Sequence, residues 1–278
     1  MEAARLAKDR RWDELVRLVR GPEGPARASE RDWAMRVALH EAACKAAPVE
    51  VVRALLDAYP QGAQATDISG CLALHFAAEH GALVEVVHAL LRAYPQGAQA
   101  TTRSGSLALH VAAECRAPVE VVRALLDAYP QCAQVEVNDG DLALHVAARN
   151  GAPLEVVRAL LDAYPQGAQT AEDRDGDLPV HLAAQAWNYS PKNHAMLALA
   201  HAGHPPTRPW TPETCVILRR LAADFNPNLE ARRADLRALI NAHLSRVRTL
   251  LLVSRRRGVP SELFPLLVGP VYAHAFFA

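Results

Sequence analysis

The chain repeats itself. VEVVRALLDAYPQ occurs verbatim at 49–61 and 119–131, with close copies VEVVHALLRAYPQ at 84–96 and LEVVRALLDAYPQ at 154–166. Upstream of each copy stands a second motif: VALH at 37–40, then LALH at 72–75, 107–110 and 142–145, and LPVH at 178–181 after the last. The histidines His40, His75, His110, His145 and His181 thus follow one another at intervals of 35, 35, 35 and 36 residues. A unit of this length cannot bury its own apolar face, so neighbouring units must stack to form one continuous core.

One unit, Gly70 to Ser104, predicts a pair of helices. LALHFAAEH sets Leu74, Ala77 and Ala78 on one small-residue face, and Gly81 breaks it. VEVVHALLRAY sets Val87, Leu90 and Leu91 on another, and Pro95 stops that helix at Tyr94. Elsewhere Pro48, Pro118 and Pro153 open the second helix, with Glu50, Glu120 and Glu155 in its first turn. Gly62, Gly97 and Gly167 follow that helix, where a left-handed cap favours glycine, and Cys132 takes the fourth such place. A chain 51% hydrophobic but only 5% aromatic suits closely packed helices better than a β-sandwich.

These features, GCLALHFAAEHGALVEVVHALL at 70–91 above all, resemble the ankyrin repeat. The resemblance covers roughly residues 33–204 and implies an all-α fold, a solenoid of stacked helical hairpins. Two departures stand out. Leu72, Leu107, Leu142 and Leu178 replace the family's Thr, whose hydroxyl helps tie the turn, and AYPQGAQ replaces the usual end of the unit, lengthening it by two residues. Residues 1–32 hold a more polar copy, AARLAKDRRWDELVRLVR at 3–20, expected to cap the stack. Five units are expected over 33–204, and an arginine-rich helical extension over 205–278.

The recurring imidazole could be a metal ligand, a general base or a structural tie. Helix layers in a stack lie about 8–10 Å apart, whereas two imidazoles on one zinc each sit about 2.0–2.1 Å from it. Equivalent histidines therefore cannot share an ion. The residue four later changes from Cys44 to Glu79, Glu114, Arg149 and Gln185, so no recurring second ligand or orienting acid exists. A ring nitrogen bonded to backbone between turns is the expected role. His194, His201 and His204 lack a Cys or carboxylate to complete a metal set. The tyrosines Tyr59, Tyr94, Tyr129 and Tyr164 are expected to stack at equivalent places. No nucleophile motif or glycine-rich phosphate loop appears, so neither enzyme activity, cofactor nor metal is expected.

A repeat protein binds through residues that differ between units. In ankyrin proteins those are the turn tips and the exposed side of the first helix. Carried over by alignment, the tip candidates are Trp33 and Arg36 in the first unit, Ile68 in the second and Arg103 in the third. Asn138, Asp139 and Asp141 follow in the fourth, and Arg174, Asp175 and Asp177 in the fifth. The helix candidates are Lys45, Glu79, His80, Glu114, Arg149 and Asn150. Residues 33–204 carry a net charge of −7 and residues 205–260 one of +7. Acidic tips point to a protein partner with a basic segment and away from nucleic acid.

The expected function is a non-catalytic, monomeric scaffold for protein–protein interaction. VPSELFPLLVGPVYAHAF at 259–276 faintly resembles the opening of an F-box helix, so the alternative is a substrate receptor of a ubiquitin ligase. SRRRG at 254–258 is a weak import or phosphate signal. Five scattered cysteines without CxxC spacing, no signal-peptide core and no bilayer-length apolar run indicate an intracellular protein, cytoplasmic or nuclear, without a membrane span.

Overall fold

A computed structural model describes residues 1–137, 139–170, 176–187 and Leu199, without the side chains of 185–187. Twelve helices lie among the described residues. The first hairpin is α1 (Glu2–Lys8) and α2 (Trp12–Arg20), followed by a short α3 (Gly24–Ser29) that the sequence pattern does not reveal. Each repeat then contributes two helices: α4 (Ala38–Cys44) with α5 (Val49–Ala58), α6 (Ala73–Glu79) with α7 (Val84–Ala93), and α8 (Ala108–Glu114) with α9 (Val119–Ala128). The series continues with α10 (Ala143–Arg149) and α11 (Leu154–Ala163), and α12 (Pro179–Trp187) opens the next unit.

First helices pack on first helices, α1 on α4 and then α6, α8, α10 and α12 in order; second helices pack likewise from α2 through α5, α7 and α9 to α11. Alanines explain the close inner row. Ala38 and Ala42, Ala73 and Ala77, Ala108 and Ala112, and Ala143 and Ala147 are each wholly buried, spaced one turn apart. Such small side chains admit a neighbouring helix at short range. The outer row buries Val51, Val52 and Leu55, with Val86, Val87 and Leu90 and their equivalents, each worth about 1.5–3 kcal/mol relative to exposure.

Two local expectations need correction. Gly62, Gly97 and Gly167 do not form left-handed caps: the positive-φ glycines are Gly70, Gly81, Gly105, Gly140, Gly151 and Gly176. The second helix ends instead on an extended tyrosine (φ −144° at Tyr59), after which PQGAQ winds into a 3-10 turn, Pro60–Gln64 and its counterparts. The glycine inside that turn is buried against the tyrosine ring, whose Cδ1 would stand 3.1 Å from an added Cβ at Gly62 and 3.0 Å at Gly167. Cys132 occupies the same place within ordinary dihedrals, buried. The tyrosines do not stack on one another either, since about 8–10 Å between layers exceeds ring-stacking range. The half-buried rings of Tyr59, Tyr94 and Tyr164 each pack on the glycine of their own turn.

The residue two beyond the first helix adopts the left-handed region in the first four units: Ala46 at φ 51°, Gly81 at 60°, Arg116 at 55° and Gly151 at 63°. Ala46 is exposed, so its side chain packs on nothing that glycine would forfeit. Ala46→Gly is expected to stabilise the chain by about 1 kcal/mol, read as a higher urea midpoint at unchanged slope.

Candidate functional site

The tips are the hairpin-like turns that precede each first helix. In the second unit Asp67 N–H donates to the Cys71 carbonyl (3.0 Å), and Asp67 Oδ1 accepts from Ser69 N–H and Cys71 N–H (2.8 and 2.9 Å). Asp32 does the same for Ala34 and Arg36 (both 2.8 Å), and Thr102 Oγ1 accepts from Ser106 N–H (3.1 Å). A side-chain acceptor five residues before the leucine thus ties the turn that the absent threonine hydroxyl would have tied. Val137 stands at that place in the fourth unit, without a side-chain acceptor, and its backbone closes the turn through Val137 N–H on Asp141 C=O (3.0 Å) and Gly140 N–H on Val137 C=O (2.8 Å). Neighbouring tips are joined by backbone bonds, Ile68 N–H to Ala34 C=O (3.0 Å) and Arg103 N–H to Ser69 C=O (2.9 Å).

Behind the tips lie the histidines, all buried. Leucine at the helix start offers no side-chain acceptor, and the histidine three residues on supplies one. Nδ1 accepts the N–H of Val37, Leu72, Leu107, Leu142 or Leu178 at 3.0–3.2 Å. That fixes the proton on Nε2, which donates across to the end of the same unit: His40 to Ala65 C=O (2.9 Å), His110 to Val135 C=O (3.0 Å), His145 to Thr170 C=O (2.8 Å). His40 also reaches Cys71 C=O at 3.2 Å. His75 Nε2 faces Ala100 and Ser106 but has no partner in hydrogen-bonding geometry. Burial lowers the pKa of His40, His75 and His145 below the usual 6.5 and takes His110 to about 4, against smaller raising effects of the carbonyls they face. The neutral rings are ties, with both nitrogens bonded in His40, His110 and His145 and Nδ1 alone in His75.

The candidate binding residues divide into two groups. Trp33 (88% exposed), Ile68, Glu79, His80, Arg103, Glu114 and Asp139 are exposed. Lys45 and Asn150 are half-buried at the ends of α4 and α10, and Asn150 Nδ2 donates to Val146 C=O (2.9 Å). Others turn inward. Arg36 lies over the Phe76 ring, 4.6 Å from its centroid, with Nη1 3.4 Å from Glu41 and Nε 3.7 Å from Asp67. Asp141 is buried and forked by exposed Arg149. Asp177 Oδ1 lies 3.3 Å from His181 Nδ1. Asn138, Arg174 and Asp175 lie outside the described residues, as do His194, His201, His204 and the segment 205–278.

Exposed Met35, beside Trp33 at the first tip, has no signal in the repeat pattern. Half-buried Cys44, a first-helix candidate next to Lys45, has its Sγ 3.4 Å from His80 Nε2. Burial raises the Cys44 and Cys115 thiols, and negative charge at Glu79 adds to both shifts, with Glu114 acting on Cys115 as well. Glu79 and Glu114 stand exposed at the end of the first-helix row, on α6 and α8. Among the described residues no three His, Cys, Asp or Glu converge as a metal set, and no helix is long and apolar enough to cross a membrane.

The family model described as "Ankyrin repeats (3 copies)" matches residues 39–139 and 109–203. No curated protein matches the chain. Paired helices in two stacked rows, tips joined by backbone bonds and a match over more than half the chain lead to one conclusion: the chain belongs to the ankyrin-repeat family, whose repeats are typically non-catalytic modules of protein–protein interaction.

Proposed function

We propose that the chain is a scaffold that holds a protein partner on its tips and on the exposed ends of the first helices, and that the partner presents a basic segment there. The observation that carries this is the row of exposed carboxylates at equivalent places, Glu79 on α6 and Glu114 on α8, continued by Asp139 on the fourth tip. Arg149 takes the same place on α10, but its charge is spent on Asp141. Opposite charge across a rim steers encounter and selects partners, and it weakens as salt rises. In this reading residues 1–32 cap the array of 33–204, and the chain acts as a monomer. The C-terminal extension and its adaptor-like stretch at 259–276 lie outside the described residues.

Reversing Glu79, Glu114 and Asp139 to Lys tests the reading. Partners captured by the full-length chain should be lost at least tenfold at low salt, with the difference shrinking as salt rises and the melting temperature unchanged. Equal recovery by both proteins at low salt would remove the acidic row from the binding surface.

A further inference from the structure

Three of the five large apolar side chains that stand exposed among the described residues gather on the first two tips: Trp33 (88%), Met35 (46%) and Ile68 (44%). They are neighbours, because Ile68 N–H bonds to the carbonyl of Ala34, the residue between the other two. Met35 is also out of keeping with the rest of the chain. Its φ is 61°, and the equivalent residues are Gly70, Gly105, Gly140 and Gly176, all at positive φ. The first tip thus keeps a long apolar side chain where the backbone favours glycine.

Charges of both signs stand beside the patch, and those that are exposed are arginines. Asp32 and Asp67 turn their carboxylates to backbone N–H groups of their own tips, and Asp67 also faces Arg36. Arg31, which donates to Met35 C=O and Thr66 C=O (both 3.0 Å), and exposed Arg103 pair with no carboxylate among the described residues. Arg103 closes the patch on the far side, its backbone N–H on Ser69 C=O and its Cγ 3.5 Å from where a Cβ at Gly70 would stand.

We infer that Trp33, Met35 and Ile68 form an anchor site for a large apolar side chain of the partner, in a segment whose neighbouring residues are Asp or Glu facing Arg31 and Arg103. This rests on the rim being the binding surface and adds the end at which the partner is fixed. The partner then lays its apolar, acid-flanked residue over the first two tips and its basic residues beyond, towards Glu79 and Glu114.

A display library of random short peptides selected on the full-length chain tests this. Enriched peptides should carry an aromatic or long aliphatic residue beside Asp or Glu. Their affinity should fall about tenfold or more with Trp33→Ser and with Ile68→Ser, as for exposed aromatic anchors elsewhere, and should fall with Arg103→Glu. Met35→Gly is the sharpest variant, since it should bind more weakly while melting at a higher temperature. The inference is overturned if nothing is enriched or if the enriched peptides lack an apolar residue. It is equally overturned if the patch variants bind as tightly as the parent, or if light scattering shows a dimer that Trp33→Ser dissolves. Peptides that respond to Glu79→Lys and Glu114→Lys but not to Trp33→Ser would leave the rim reading standing and remove the anchor. Peptides indifferent to both sets would remove both.

Discussion

Replacing His110 by leucine is expected to cost the full-length chain about 3–5 kcal/mol, measured as a lower urea midpoint. Leucine fills much of the ring's space but leaves Leu107 N–H and Val135 C=O buried without their partners, each at about 1–3 kcal/mol. The same substitution at His75 should cost less, because His75 Nε2 makes no bond to lose. Equal costs at the two positions would mean that ring volume, not the pair of hydrogen bonds, holds the turn. Domains of this kind have only about 5–15 kcal/mol of stability, so one such loss is large.

The second large effect is acid sensitivity. The folded state holds His40, His75, His110 and His145 below the usual 6.5, burial being the main cause. Between 6.5 and the folded values the unfolded chain binds protons that the folded chain refuses. Their contribution is therefore complete above about pH 6.5 and is lost as pH falls through that window. For His110, whose folded value is about 4, the loss amounts to about 3 kcal/mol once pH has reached the folded value. Protonation also puts a hydrogen on Nδ1, where it meets the Leu107 N–H. Unfolding free energy measured by urea at successive pH values should drop steeply below pH 6.5. A flat profile down to about pH 5 would contradict the burial of these rings as neutral species.

The period and the two apolar faces per unit were enough to read the hairpins, because packing against identical neighbours repeats the same demand at each position. Leu74, Ala77 and Ala78 on α6 and Val87, Leu90 and Leu91 on α7 are buried as their spacing requires. The structural role of the histidines was also legible, since layer spacing rules out a shared ion. What the pattern hid was side-chain contact at the tips, between units and within one. Arg36 and Asp141 look like surface charges in the sequence, but one lies over Phe76 from the next unit and the other is forked by Arg149, eight residues on. The tie by Asp32, Asp67 and Thr102 was missed because the three differ in type and share only an acceptor atom. Gly62 was misread because glycine serves close approach to the Tyr59 ring there, not a positive φ. The adjacency of Trp33 and Met35 to Ile68 depends on one backbone bond between tips.

Residues common to the units hold the stack, the recurring histidine tying the start of the first helix to the end of its own unit. Nitrogen-15 NMR of the histidine side chains in the full-length chain tests it most directly. His40, His75, His110 and His145 should show a protonated Nε2 and a hydrogen-bond-accepting Nδ1 and should titrate below 6.5, with the His110 shifts unmoved between about pH 8 and pH 6. Resonances that titrate near 6.5, or a proton on Nδ1, would show rings free to exchange protons, and the recurring imidazole would return as a candidate for chemistry.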